Sequence, residues 1–233
     1  MINKRRKKMY KIDFYITCGY ESEHLINAVK SVVGHEKSDR FKLNITVINN
    51  TGKPWNNYIG ETTAIYNTPV RFTMAQLANY IMRQTIEKGM LFSIAMHDDA
   101  VMNPGAIDAL LDKYEEVKDQ KWVTITAKGS TGVLAMGNVA PYIEDNIWWD
   151  TYLFPMYYVD LHYYRMVGLK GWKIFETDRD DLIEHIGSNS LKSDPIMAER
   201  NRINSKYSSE IYKDIWGGLP GEETTDKCEI LGQ

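Results

Sequence analysis

The stretch running from Met90 to Pro104, MLFSIAMHDDAVMNP, limits the choice of fold more than any other part of the chain. Residues 91–96 form an apolar run with the length of one buried strand, and the run stops abruptly at His97-Asp98-Asp99. Two neighbouring carboxylates at the end of a buried strand repel each other and lose hydration, so the fold must offer a cation or a wet cleft there. In an open parallel sheet that cleft lies beyond the carboxyl ends of the strands. The pattern predicts an α/β sheet with a divalent-metal site able to receive a diphosphate.

The flanking sequence agrees with such a sheet. Residues 10–17, YKIDFYIT, read as a first strand, closed by Cys18-Gly19-Tyr20. A helix follows over 21–33, with Leu25, Ala28, Val29, Val32 and Val33 on one face and Gly34 as its stop. Residues 41–48, FKLNITVI, form the second strand and run into Asn49-Asn50, which completes a β-α-β unit with a right-handed crossover. Residues 53–67 are a turn-rich connection with a short strand at 64–66. Thr73 caps a helix that ends near Lys88-Gly89 and turns Leu77, Ala78 and Ile81 to one side. After the central strand, Asn103-Pro104 is a capping side chain ahead of an N1 proline, and Ile107, Leu110, Leu111, Tyr114 and Val117 make a core-facing stripe.

Residues 122–127 and 132–136 read as two strands able to form a hairpin, 161–167 as a helix, and 172–175 as the last strand. From Glu176 onward, polar turn residues dominate and no periodicity is legible. The chain divides into a basic segment at 1–9, an α/β domain at 10–190 and a tail at 191–233.

Composition narrows the function classes. The 28 Lys+Arg against 31 Asp+Glu give a net charge of -3, so the chain lacks the overall basic excess of a dedicated nucleic-acid binder. Cys18 and Cys228 lack metal-ligand spacing, which favours free thiols in a reducing, cytoplasmic setting. No apolar run is long enough to span a bilayer, and the basic run at 4–8 is followed by strand-like sequence rather than a signal core.

Asp99, with Asp98 or His97 beside it, supplies the hard ligands that Mn2+ and Mg2+ prefer, and His185 is a second candidate because imidazole suits manganese. Asp160 stands at the start of a helix among aromatics. It fits a general base with raised proton affinity, or a capping carboxylate paired with Arg165; Asp150 is its rival for the first role. Trp148, Trp149, Tyr152, Phe154, Tyr157 and Tyr158 fit a platform for a sugar ring or base as well as a core.

In order, the blocks YITCGY, ITVINN, SIAMHDDAVMNPGAIDALL, MYYVDLHYYRMVGLKGWKI and EHIGSNS resemble those of family 2 type glycosyltransferases with the GT-A fold, a mostly parallel central sheet flanked by helices. The likeness covers roughly residues 9 to 190 by block order, and the tail around WGGLPGEE resembles that of phage and bacterial members. The resemblance implies that Thr17 and Tyr20 contact the nucleotide base, that Asn49 and Asn50 hold uracil or ribose, and that Asp99 is the metal aspartate, with His97 in the often acidic first position of the motif. It implies that His185 completes the metal site. In many inverting members Glu-Asp precedes the aspartate matching Asp160, where this chain has Tyr157 and Tyr158; Asp160 is then the base, following the Tyr-Val-Asp pattern of other subsets.

The expectation is an enzyme dependent on Mn2+ or Mg2+ that moves a sugar from a nucleotide-diphosphate donor, a UDP-sugar first, to the hydroxyl of a carbohydrate or a hydroxymethylated DNA base. Asp98 would lie beside the donor, and Trp216-Gly217 would close over it as a glycine-hinged lid. Two other readings stay open: an inert nucleotide- or sugar-binding module of the same fold, and a nucleotidyltransferase, which the absence of a glycine-rich phosphate loop after the first strand disfavours.

Overall fold

The computed structural model describes residues 9–19, 23–35, 38–55, 63–130, 132–154, 157–186 and 195–226. The elements in chain order are β1 (Tyr10–Cys18), α1 (Glu23–Val33), β2 (Phe41–Asn49), β3 (Thr63–Asn67), α2 (Met74–Glu87), β4 (Phe92–His97), β5 (Ala100–Met102), α3 (Ala106–Val117), β6 (Trp122–Thr126), β7 (Leu134–Asn138), α4 (Ala140–Glu144), α5 (Val159–Leu169), β8 (Lys173–Glu176), β9 (Ile183–His185) and α6 (Pro195–Trp216). Seven strands form the main sheet in the order β3-β2-β1-β4-β7-β6-β8, and β5 pairs with β9 in a small second sheet.

The half built from β3, β2, β1 and β4 is parallel, whereas β7 runs antiparallel to both β4 and β6. From β1 the chain winds outward through β2 to β3, then returns to the other side of β1 as β4. The winding direction therefore reverses between β1 and β4, and in open α/β sheets ligands bind beyond the carboxyl ends of the strands at such a point.

Alternation along the strands sorts the core into two layers. Phe14, Ile16, Ile45, Val47, Ile94 and Met96 pack with Leu25, Val29 and Val32 of α1 and with Leu110 and Leu111 of α3. On the other face Tyr15 and Ile48 meet Ile81 and Met82 of α2 and Tyr163 and Val167 of α5. With helices on both faces, β1 is buried nearly throughout, as expected of a parallel strand.

Thr73 caps α2 as its sequence predicts, in a reciprocal box with Gln76. The buried side of this helix carries Ala75, Asn79, Ile81, Met82 and Thr85, so Leu77 and Ala78 sit at its margin. All five stripe residues of α3 are buried, but Asn103 does not cap that helix. Gly105 is the N-cap residue, and the Asn103 amide instead donates to the Asp181 carbonyl.

The strongest departure is in the tail, where α6 runs for 22 residues through sequence that shows no apolar period. Its buried positions include Asn201, Ser208, Tyr212, Ile215 and Trp216, which do recur at helical spacing. Two of the five are polar, so a search for hydrophobic periodicity passes over them. Among the described residues no helix is long and apolar enough to cross a membrane.

Candidate active site

At the reversal point β1 and β4 end side by side, with Thr17 in register with His97. The Gly19 amide, just past β1, donates to Asp98 Oδ2 at 3.3 Å. Burial pushes the Asp98 carboxyl up to about 6, against the hydrogen bonds from Cys18 and Gly19 and with the repulsion of Asp99 added. Burial also holds the His97 imidazole below its ordinary range; Asp99 opposes that shift and His185 adds to it.

The chain turns at Asp98-Asp99 into β5, which is fixed on both sides. The Met102 amide donates to Ser31 Oγ of α1 at 3.0 Å. β9 clips onto β5 with Ala100 opposite His185, and the Ile186 amide donates to the Asp99 carbonyl at 3.0 Å. This pairing brings His185, 86 positions away in sequence, to Asp99: Nε2 lies 3.3 Å from Oδ2. Both side chains keep solvent access, as a ligand-facing pair requires.

One carboxylate and one imidazole make a donor set suited to Mn2+, and to Mg2+ through the carboxylate, with phosphate oxygens and waters left to fill the shell. Among the described residues no group of three or more His, Cys, Asp or Glu side chains is gathered for a metal. The residues thus fit an ion shared with a ligand rather than an all-protein cage.

The expected base-contacting residues are placed differently from one another. Thr17 is half-buried at the end of β1 beside His97. Asn49 is 1% exposed and Asn50 6%, and both side chains are engaged by the loops around them. Asn49 donates to the Lys53 carbonyl at 2.8 Å and to Asn67 Oδ1 at 2.6 Å while accepting from Thr51. Asn50 donates to the Phe72 carbonyl at 2.9 Å and accepts from the Phe72 amide at 2.6 Å. These asparagines pin the loops that follow β2 and β3. Tyr20, the basic run at 4–8 and the HIGSNS block beyond Ile186 lie outside the described residues.

Asp160 occupies the first turn of α5, directly after Tyr158, whose φ of 66° is left-handed. The expected partner Arg165 turns away from Asp160 to the tail, where Nη2 lies 2.9 Å from Asp226 Oδ1. Asp150 Oδ1 accepts the amides of Tyr152 and Leu153 at 2.8 and 2.6 Å, so this carboxylate builds its own turn.

The aromatics are divided. Trp149 stacks on Tyr163 at 4.8 Å and donates to the Tyr142 hydroxyl, and Phe154 is buried, whereas Tyr152 is 93% exposed.

Trp216 corrects another expectation. It is 1% exposed in a cluster with Ala75, Phe154, Val159, Tyr212 and Ile215, and its indole N–H donates to His162 Nδ1 at 3.1 Å. A side chain packed in this way anchors α6 on α5 and does not face a donor. Gly217 follows as a turn residue, with its amide donating to the Lys213 carbonyl at 2.7 Å. The sequence gives no sign of His162, Tyr212 or Glu223, which have no motif in common; their contacts arise only once α6 folds back on α5.

No protein-family model matches the chain, and no curated protein matches it in sequence. Solved structures do share its fold. Residues 1-349 of TarS from S. aureus superpose with a TM-score of 0.53 at 10% identity, covering 72% of this chain and 58% of that one. The same protein in complex with UDP gives a TM-score of 0.54 at 11% identity over the same shares. A Drosophila β1,4-galactosyltransferase 7 mutant with manganese, UDP-Gal and xylobiose covers 78% of this chain and 73% of that one at 13% identity, with a TM-score of 0.49. This chain thus spans 58% of the length of the TarS structures. The seven-stranded, mostly parallel sheet with helices on both faces has the GT-A architecture found among glycosyltransferases.

Proposed function

We propose that the protein is a metal-dependent glycosyltransferase that uses a nucleoside-diphosphate sugar, with UDP as the nucleotide, and transfers the sugar to a hydroxyl of a carbohydrate acceptor. The observation that carries this reading is the meeting of Asp99 and His185 at 3.3 Å, beside the carboxyl end of β4 where the sheet reverses its winding. A buried strand, a two-stranded clip and a helix contact combine to hold a carboxylate and an imidazole in the place where an α/β sheet binds ligands. The UDP complex of TarS, on the same fold, supports the choice of nucleotide.

In this reading Asp99 and His185 would hold a divalent ion, Mn2+ or Mg2+, whose charge stabilises a departing diphosphate. Thr17, at the end of β1, borders the nucleotide. Asp98 braces the Gly19 turn through its amide and lies within the donor cleft rather than on the ion. Asp160, in the first turn of α5, takes the proton from the attacking acceptor hydroxyl, which makes the reaction inverting. Asp150 is the lesser choice for that step because its Oδ1 already accepts two backbone amides.

The test is incubation with a panel of nucleotide sugars, Mn2+ and either water or saccharide acceptors. Release of UDP that is lost in Asp99→Ala and strongly reduced in Asp160→Asn supports the transferase. Tight nucleotide binding without turnover supports an inert module, a reading kept open by Tyr157 and Tyr158, which stand before Asp160 where the resemblance to inverting family 2 members implies Glu-Asp. Pyrophosphate release from a nucleoside triphosphate and a sugar phosphate would identify a nucleotidyltransferase. A duplex carrying 5-hydroxymethylcytosine, included among the acceptors, tests the DNA alternative.

A further inference from the structure

The segment from Trp216 to Asp226 folds into a hook rather than a loose end. The Trp216 carbonyl accepts the amides of Thr224 and Thr225 at 3.0 and 3.2 Å, and Thr224 Oγ1 donates to the Gly217 carbonyl at 3.2 Å. The turn demands its glycines: Gly217 has a φ of +72°, a Cβ there would collide with Thr224 Oγ1, and one on Gly218 would collide with the Glu222 carbonyl.

The hook is fastened to α5 by Arg165. Its Nη2 donates to the Thr225 carbonyl at 3.0 Å and to Asp226 Oδ1 at 2.9 Å, Nη1 lies 3.6 Å from Glu223 Oε1, and the guanidinium covers the Trp216 ring at 5.0 Å. Glu223 also accepts the Tyr212 hydroxyl at 2.7 Å and the Gly221 amide at 2.8 Å. The Tyr212 ring in turn lies 5.5 Å from that of Tyr158.

These contacts close a circuit: from Arg165 on α5 to Glu223 in the hook, to Tyr212 on α6, to Tyr158, and back to the first turn of α5. Tyr158 is the weak point of that circuit. A tyrosine in the left-handed region is strained and keeps that conformation only where its surroundings enforce it. Its carbonyl accepts the His162 amide at 2.8 Å, so its conformation sets the direction in which α5 begins and where Asp160 stands. Asp160 also lies near enough to both neighbouring hydroxyls, on Tyr164 and Tyr212, to add to the rise that burial gives each of them.

We infer that the Arg165–Glu223–Tyr212 clasp is a positioning device for the acceptor side of the site, holding Tyr158 in its left-handed conformation so that Asp160 faces the acceptor hydroxyl. The inference rests on the transferase reading for the role of Asp160. It replaces a glycine-hinged lid over the donor with a fixed brace behind the base, and it makes Tyr212 and Glu223 positioning residues that touch no substrate.

The test compares Tyr212→Phe, Glu223→Ala and Glu223→Gln with the unsubstituted 233-residue chain, by transfer kinetics and by amide hydrogen exchange. Tyr212→Phe keeps the ring against Tyr158 but loses the tether; Glu223→Gln keeps an acceptor for the Tyr212 hydroxyl. Tyr212→Phe and Glu223→Ala should lower kcat about tenfold with donor KM unchanged, because a displaced base slows the chemical step without weakening donor binding. In the same two variants amides at 159–163 should exchange about tenfold faster while those of β1 and β4 stay as in the wild type. Glu223→Gln should restore most of both.

Unchanged exchange at 159–163, or a parallel fall of kcat and donor affinity with faster exchange throughout, overturns the clasp. If the wild-type chain turns over no donor, the transferase reading fails by itself. The exchange data then decide whether the clasp holds the α5 start.

Discussion

Asp98 is the residue on which the local electrostatics bear most. Its carboxyl is raised to about 6 by burial, so between pH 4 and 6 the folded protein binds more protons than the unfolded chain. Stability from this group is therefore present below pH 4 and is lost as pH rises through 6. Asp98→Asn should remove that fall and gain on the order of 2 kcal/mol at pH 7 without metal, while an amide oxygen still accepts the Gly19 N–H; urea unfolding at pH 4, 5, 6 and 7 measures it. Asn50 gives a prediction of a different kind. Because its side chain holds the Phe72 backbone in both directions, Asn50→Ala should cost about 1–3 kcal/mol of unfolding free energy. Its UDP affinity should stay within about twofold of the wild type once the protein is folded. A residue that held uracil would show the reverse: weakened UDP binding at unchanged stability.

At the scale of the elements, α5 and α6 are joined through His162 and Trp216. Trp216→Ala should destabilise the fold by about 3–5 kcal/mol, measured by denaturant unfolding, because it empties a large buried volume and frees His162 Nδ1. His162 is fully buried and burial lowers its imidazole to about 4, so the neutral form belongs to the fold. Its contribution is complete above pH 6.5 and is lost as pH falls toward 4. His162→Gln, which keeps an acceptor for the indole, should make unfolding less acid-sensitive in that window.

This junction also shows what the sequence could and could not convey. β1, α1, β2, β4, α3 and the β6–β7 hairpin were readable because their buried faces are mostly apolar and repeat at the period of the element, and α2 was readable from its Thr73 cap. The α6 helix was not, since Asn201 and Ser208 occupy buried positions along its inner side, while Ile196, Ile203 and Tyr207 are exposed. The site divides in the same way. The strand ending in His97-Asp98-Asp99 was legible as a strand with carboxylates at its end, and the pairing of β5 with β9 brings His185 to Asp99. Asn49 and Asn50 look in sequence like free amides at strand ends. Only the fold reveals that backbone and side chains of the neighbouring loops engage them.

For the molecule as a whole, the proposed function rests on topology before it rests on any single side chain. Winding outward from β1 to β3 and back to β4 puts two parallel strand ends side by side at the reversal point, the place where open α/β sheets bind ligands, and Thr17, Gly19, Asp98 and Asp99 stand at those ends. A net charge of -3 gives no general attraction for a polyanion, so a phosphate-bearing donor needs local compensation at that crevice. The most direct test of this account is calorimetric titration of UDP into the protein with and without Mn2+, repeated on Asp99→Ala and His185→Ala. Mn2+ should strengthen UDP binding by about tenfold or more in the wild type, and each substitution should abolish most of that gain, since a shared ion couples the two ligands. Equal UDP affinity with and without Mn2+, or a metal effect that survives intact in Asp99→Ala, would contradict the assignment of Asp99 and His185 as the centre of the site.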